Sequence, residues 1–202
     1  MKRILTALTI LSLTGCTAGD LLAPSGPAAK LYTLKAPINI QVAAPAANWQ
    51  LLIETPNAPI DLNSSRIAVI PSPTRIDYYA NAAWADRPPA MFQELLLQSF
   101  AKSGKIAAVQ RQSGGLKADF TLTTDLQDFE VDASSGIPTA HVAVTMRLVR
   151  TRDRTIVASK QFESAIQVRG DLEEAVYSFD SALGEIFPQI VDWALTQGSR
   201  NP

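Results

Sequence analysis

Between Asp119 and Val168 the chain carries three long runs with a two-residue hydrophobic period, and no other feature restricts the fold as much. In Asp119–Val131, Phe120, Leu122 and Leu126 share one parity, whereas Phe129 and Val131 take the other. A phase change of one residue predicts a bulge near Gln127-Asp128. In His141–Val149, Val142, Val144, Met146 and Leu148 alternate with polar or small residues. In Thr155–Val168, Ile156, Ala158, Phe162, Ile166 and Val168 do the same, and the charged run Arg150–Arg154 (RTRDR) joins the last two as a turn. Alternation of this kind predicts an antiparallel meander with one face on a core and the other wet or partner-facing.

Something must cover the apolar face, and two segments have a helical period. In Asp171–Gln197, Leu172, Ala175/Val176, Phe179, Leu183, Ile186/Phe187, Ile190 and Ala194 mark an amphipathic helix of about seven turns. Asp171 is placed to cap it, Glu173 and Glu174 suit its first turn, and Pro188 should kink or divide it. In Arg87–Ser103, Met91, Leu95, Leu96 and Phe100 recur three to four apart, after Pro88-Pro89 and before Gly104. Proline at a helix start and glycine after its end are the expected boundaries. Leu31–Leu34, Trp49–Thr55 (stopped by Pro56) and Arg66–Ile70 (stopped by Pro71) read as strands covered on both faces, and Ile106–Val109 as a short edge strand. The expectation is a single sandwich-like α/β domain, with an α+β arrangement also fitting the order: a mixed sheet of about six strands and two main helices.

Chemistry is sparse. Apolar residues are 47% of the chain, enough to close a core, and the net charge of -1 lacks the basic excess of a nucleic-acid binder. One Cys forbids an internal disulfide, and with one His it leaves little for a metal centre, so neither a metal nor a soluble cofactor is expected. His141 begins a strand with no nucleophile spaced to meet it, and neither a P-loop nor a GxGxxG is present. Ser113-Gly114-Gly115 reads as a plain turn, and Arg147, Arg150, Arg152 and Arg154 as a solvated charged hairpin. The chain is therefore expected not to be an enzyme. The exception to this blandness is Ile76–Arg87, read as a connection between strand and helix. It holds Tyr78, Tyr79 and Trp84 within seven residues, next to Arg87. Large aromatics in a connection either fold back on the core or make a binding surface. Trp84 leans to the core and the tyrosines to a wet rim, and Tyr78, Tyr79, Trp84 and Arg87 together are the candidate partner-binding residues.

The N-terminus is read as an address. Lys2 and Arg3 precede Ile4–Leu13, ten uncharged and mostly apolar residues. As a helix they span about 15 Å, half a bilayer core, which suits a signal-peptide h-region and not a transmembrane helix. Leu13-Thr14-Gly15-Cys16 follows and resembles the bacterial lipobox. That resemblance implies that residues 1–15 are removed and that Cys16 carries a diacylglycerol, with its new amino group acylated, commonly by palmitate. Thr17, not Asp, follows the Cys, which in the usual sorting pattern directs the protein to the outer membrane, facing the periplasm. Residues 16–30 form a lipidated tether with two Pro and two Gly, and 31–198 the folded domain.

The order continues through Leu31-Tyr32-Thr33-Leu34, Arg66-Ile67-Ala68-Val69 and Pro71, then Asp77–Arg87 and Pro89, and a helix running to Phe100 and Ser103-Gly104. This resembles the ABC-type transport auxiliary lipoproteins, the group that includes the PqiC-like lipoproteins. The likeness is most specific over residues 66–109. It implies an accessory or docking component of an MCE-type ABC lipid transport system, working between inner and outer membranes. The implied partners are an MCE-domain protein and the ABC permease/ATPase complex, with self-association into a homo-oligomer. It implies no catalytic residue and supplies no ligand residues. A structural or assembly lipoprotein, partnering an outer-membrane or secretion complex, is the alternative that shares the same anchor.

Overall fold

A computed structural model describes residues 28–111 and 117–201. The signal segment, Cys16, most of the tether and the Ser113-Gly114-Gly115 turn lie outside them. The elements in order are β1 (Lys30–Tyr32), β2 (Ala47–Ile53), β3 (Arg66–Ser72), β4 (Arg75–Trp84), α1 (Pro88–Ser103), β5 (Ile106–Arg111), β6 (Phe120–Asp132), β7 (Thr139–Arg150), β8 (Thr155–Gln167) and α2 (Leu172–Arg200). They make one mixed sheet of eight strands with two helices, an α/β single domain. The expected mixed sheet with two main helices is found, and β4, within the segment expected to be a connection, adds a strand to it.

The meander forms as its alternation demands. β6 pairs antiparallel with β7 from Phe120↔Arg150 to Asp132↔Thr139, and β7 with β8 from Thr139↔Gln167 to Arg150↔Thr155. The bulge falls where the parity changes: Leu126 pairs with Val144 and Asp128 with Ala143. Gln127 is the extra residue, and it returns Phe129 and Val131 to the buried face. A second shift lies between β7 and β8, where Leu148 pairs with Ala158 but Val149 with Ile156. It turns Ile156 to the open face, 55% exposed, against its expected place in the alternation.

β6 is the axis of the sheet. β7 takes one of its edges along the whole length. The other edge is shared end to end: β2 runs parallel to Phe120–Leu122, β3 runs parallel to Val131–Asp132, and an isolated Asn57↔Asp125 bridge sits between them. β5 extends the sheet from β2, and β4 followed by β1 extends it from β3. β2 alternates, with Leu51 and Ile53 sealed and Leu52 partly open, so cover on both faces is not its condition. β3 runs through Pro71 to Ser72 before turning into β4.

Both helices lie on one face. Leu122, Leu126, Phe129 and Val131 of β6 and Ala140, Val142, Val144, Met146 and Leu148 of β7 are sealed beneath them. Each such large side chain contributes about 1.5–3 kcal/mol relative to exposure. Phe92 of α1 meets Phe187 of α2 edge-on at 5.1 Å. The sheet side supplies Trp84 and Phe129, which pack on Phe179 at 5.4 and 4.9 Å. α1 begins with Pro88-Pro89 and no side-chain cap, and it ends at Gly104, whose φ of 62° lets its N–H reach the Ala101 carbonyl. Gln93 of α1 is buried and ties the helix to β2 by donating to the Ile53 carbonyl at 2.8 Å. Asp171 caps α2 by accepting from the Glu174 N–H, and α2 remains one helix through Pro188. The strap between β1 and β2 crosses α2, where the Lys35 and Ala44 N–H groups donate to Asp180 and Asp192, each at 2.8 Å.

Candidate functional site: the open face of the sheet

The open face follows from register, because residues paired across a ladder project to the same side. On β6 it carries Thr121, Thr123, Asp125, Asp128 and Glu130; on β7, His141, Thr145 and Arg147; on β8, Glu163. Arg147 donates to Asp125 at 2.6 Å and Thr145 to Gln127 at 3.0 Å. Arg147 is thus engaged within the sheet, and Arg150 pairs with Asp153 of the turn at 3.1 Å.

The segment Ile76–Arg87 is not a connection. Arg75–Trp84 is a strand, β4, hairpinned to β3, and its side chains divide between two faces. Tyr78 pairs with Ala68 and lies on the open side, with the Arg66 guanidinium stacked on its ring at 3.4 Å. Tyr79 faces the other way and packs half-buried on the core, and burial pushes its phenol pKa up. Asn81, at φ 53°, sits in an irregular stretch of the β3–β4 ladder that returns Trp84 to the interior. Trp84 is 1% exposed, edge-on to Phe129 and Phe179, so it offers no surface to a partner. Arg87 is exposed before α1 and donates to Asn63 at 3.2 Å. Of the four candidate residues, Arg87 is exposed, Tyr78 and Tyr79 are part-exposed and Trp84 is sealed, and Tyr78 is the tyrosine on the open face.

Beside Tyr78 the open face forms a groove of about 410 Å³. Ile70, Pro73, Arg75 and Ile76 wall it on the hairpin side, Asp61 and Leu62 close one end, and Asp128 and Glu130 line it from β6. Behind those carboxylates stands His141, whose Nε2 is 2.9 Å from Glu163 Oε1. Its Nδ1 faces Glu130 Oε1 at 3.8 Å and Asp128 Oδ2 at 4.0 Å. Glu130 foremost, then Glu163 and Asp128, raises the imidazole pKa to about 9, against partial burial that lowers it. The 2.9 Å contact to Glu163 is the hydrogen bond in the strict sense, and Glu130 acts across 3.8 Å chiefly as a charge. Sequence spacing placed no partner beside His141. The ladder does so by setting Glu130 opposite it and the bulge by turning Asp128 toward it. A larger concavity of about 570 Å³ lies at the opposite end of β6, lined by Leu52, Phe120, Lys117, Asp119 and Arg150 among others.

Comparison with known proteins agrees with this architecture. The chain superposes on the crystal structure of protein XCC0632 from Xanthomonas campestris with a TM-score of 0.81, at 30% identity, covering 86% of this chain and 98% of that one. Hypothetical protein CT253 from Chlamydia trachomatis shares the fold at a TM-score of 0.55 and 10% identity, over 76% of this chain and 99% of that one. An uncharacterized Bradyrhizobium diazoefficiens protein, bll6063, is 28% identical over 171 residues, which are 84% of this chain. The chain spans about half (46%) of that relative's length. The family model described as the ABC-type transport auxiliary lipoprotein component matches residues 32–191, from β1 into α2, and the chain belongs to that family.

Proposed function

We propose that this protein is an accessory, docking component of an MCE-type ABC lipid transport system, fixed by acylated Cys16 to the outer membrane and facing the periplasm. The observation that carries the reading is the family match across nearly the whole folded domain, which ties the chain to ABC transport as an auxiliary lipoprotein and not to an enzyme class. The Leu13-Thr14-Gly15-Cys16 motif supports the anchor. Among the described residues no helix is long and apolar enough to cross a membrane, so an acyl group is the means of attachment that the sequence offers. The tether supports reach: thirteen residues, 17–29, precede β1 and extend at most about 45 Å.

The head contributes a docking surface. Tyr78 stacked under Arg66, the adjacent groove and exposed Arg87 form an aromatic and charged rim of the kind that protein partners use. Self-association would multiply weak contacts at that rim through effective concentration. The test is affinity purification of the chain from Gram-negative envelopes after in-cell crosslinking. Recovery of an MCE-domain protein with its permease and ATPase is the expected result. Recovery of an outer-membrane barrel or secretion complex without any MCE protein would replace this reading with the assembly-lipoprotein one.

A further inference from the structure

His141 stands between carboxylates on both of its ring nitrogens. Nε2 lies 2.9 Å from Glu163 Oε1 and donates its proton there. Nδ1 is left facing Glu130 Oε1 at 3.8 Å and Asp128 Oδ2 at 4.0 Å, both beyond hydrogen-bond length. Glu130 is nine-tenths buried; its Oε2 accepts the Phe129 N–H at 2.6 Å, and its Oε1 receives no hydrogen bond among the described residues. One imidazole nitrogen and two carboxylates thus converge from β6 and β7 on a common point. Their ligand atoms all lie within 4.8 Å of one another.

We propose that Asp128, Glu130 and His141 bind a divalent first-row transition cation, best satisfied by Zn²⁺, with Glu163 as the residue that positions the imidazole. A tetrahedral site with bonds of about 2.1 Å has ligand–ligand edges of about 3.4 Å. The two separations from Nδ1, 3.8 and 4.0 Å, exceed that value by about half an ångström. The widest pair, within 4.8 Å, needs its side chains to close by up to about 1.4 Å, within reach of a carboxylate rotation. A carboxylate holding the distal N–H of a ligating imidazole is the usual outer partner of such a site, since it fixes the tautomer and ring orientation. The donor set selects the metal: imidazole nitrogen with carboxylate suits Zn²⁺ and its neighbours, whereas Ca²⁺ needs six to eight oxygens. Three carboxylates surround the imidazole, so at neutral pH Nδ1 carries a proton that an incoming dication must displace into solvent, and the dication then offsets two of the three negative charges. Because Asp128 and Glu130 also line the groove, the site has an entry path and room for a fourth ligand from water or a docked partner. The site is independent of the transport reading, and its failure would leave that reading untouched.

The test uses the untagged full-length chain in detergent, stripped with chelator and dialysed against Zn²⁺ alone. The expected result is one Zn²⁺ per chain with micromolar or tighter affinity. His141→Gln should weaken binding by 100-fold or more. Glu163→Gln should keep the stoichiometry and weaken binding by about ten-fold. His141 is the chain's one histidine, so its ¹⁵N imidazole resonances report without ambiguity. Zn²⁺ should move the Nδ1 signal and leave the Nε2 proton in place, and this readout uses the unaltered chain. Asp128→Asn, an isosteric change on the open face, should weaken binding at least ten-fold with an unchanged melting temperature of the metal-free form. Absence of stoichiometric binding at 100-micromolar Zn²⁺, or binding that leaves the Nδ1 resonance unmoved, would overturn the proposal and leave the cluster as an imidazolium–carboxylate network.

Discussion

The indole of Trp49 fills the space that a side chain at Gly198 would need: a Cβ built there would lie 2.3 Å from Trp49 Cζ2. The last turn of α2 therefore rests directly on β2, near the strand's start. Gly198→Ala is expected to destabilise the domain by about 1–3 kcal/mol, the usual cost of overpacking. Thermal unfolding of the single variants and of Gly198→Ala/Trp49→Phe checks it. The smaller ring should recover part of the loss, and Trp49 Nε1, which has no hydrogen-bond partner, has no bond to lose. Strict additivity of the two changes would show that the contact does not couple them.

Trp84 and Tyr78 lie six residues apart on β4 and should answer different assays. Trp84→Ala empties the site between Phe129 and Phe179 and is expected to cost about 3–5 kcal/mol in a denaturant melt. Tyr78→Ala removes a ring from the open face and should change stability by less than about 1 kcal/mol. Its expected effect is on crosslinking yield to the partner complex, together with that of Arg66→Ala. Equal capture by a folded Tyr78→Ala chain would remove the rim from the docking surface.

Burial raises the pKa of Asp180 above its ordinary value of 3.8, although the carboxylate accepts the Lys35 N–H. A group whose folded pKa is raised makes its full contribution below the unfolded value and loses it as pH rises through the folded one. Asp180→Asn keeps the acceptor and cannot ionise. It should match the parent near pH 3 and gain on it progressively toward pH 7. The gain should stay under about 1 kcal/mol, because the side chain is half-exposed and solvent screens the charge. Melting curves across that range check the sign, and a gain largest at acid pH would contradict the assignment.

Cys16→Ser should abolish acylation, and the chain should then leave the outer-membrane fraction on cell fractionation. Mass spectrometry of the processed parent chain should find acyl groups on its first residue. Processing elsewhere, or a bare thiol at Cys16, would remove the anchor.

How much of this was legible in the sequence depended on the range of the interaction. The meander, the bulge at Gln127 and the capping of α2 by Asp171 are written in neighbouring residues, and parity or spacing reveals them. β4 was hidden. Ile76–Arg87 has no clean alternation, because the ladder irregularity around Asn81 breaks its phase; without that phase, Tyr78 and Tyr79 looked equally exposed. Nothing in the helical period singles out Asp180 and Asp192, yet each holds a backbone N–H more than 140 positions away. The same distance effect concealed the convergence on His141, whose partners Asp128, Glu130 and Glu163 meet only after two ladders and a bulge are in register. A lone histidine gave no hint of that company.

A strand that serves two neighbours end to end gives the domain a spine with two leaves. One leaf, β2 with β5, hangs from the start of β6; the other, β3 with β4 and β1, hangs from its end. Each leaf keeps its own hydrogen bonds to the spine, while both bury side chains in one shared core. Tyr78 and the hairpin wall of the groove belong to the second leaf, so a partner docking as proposed would meet that leaf and not the first.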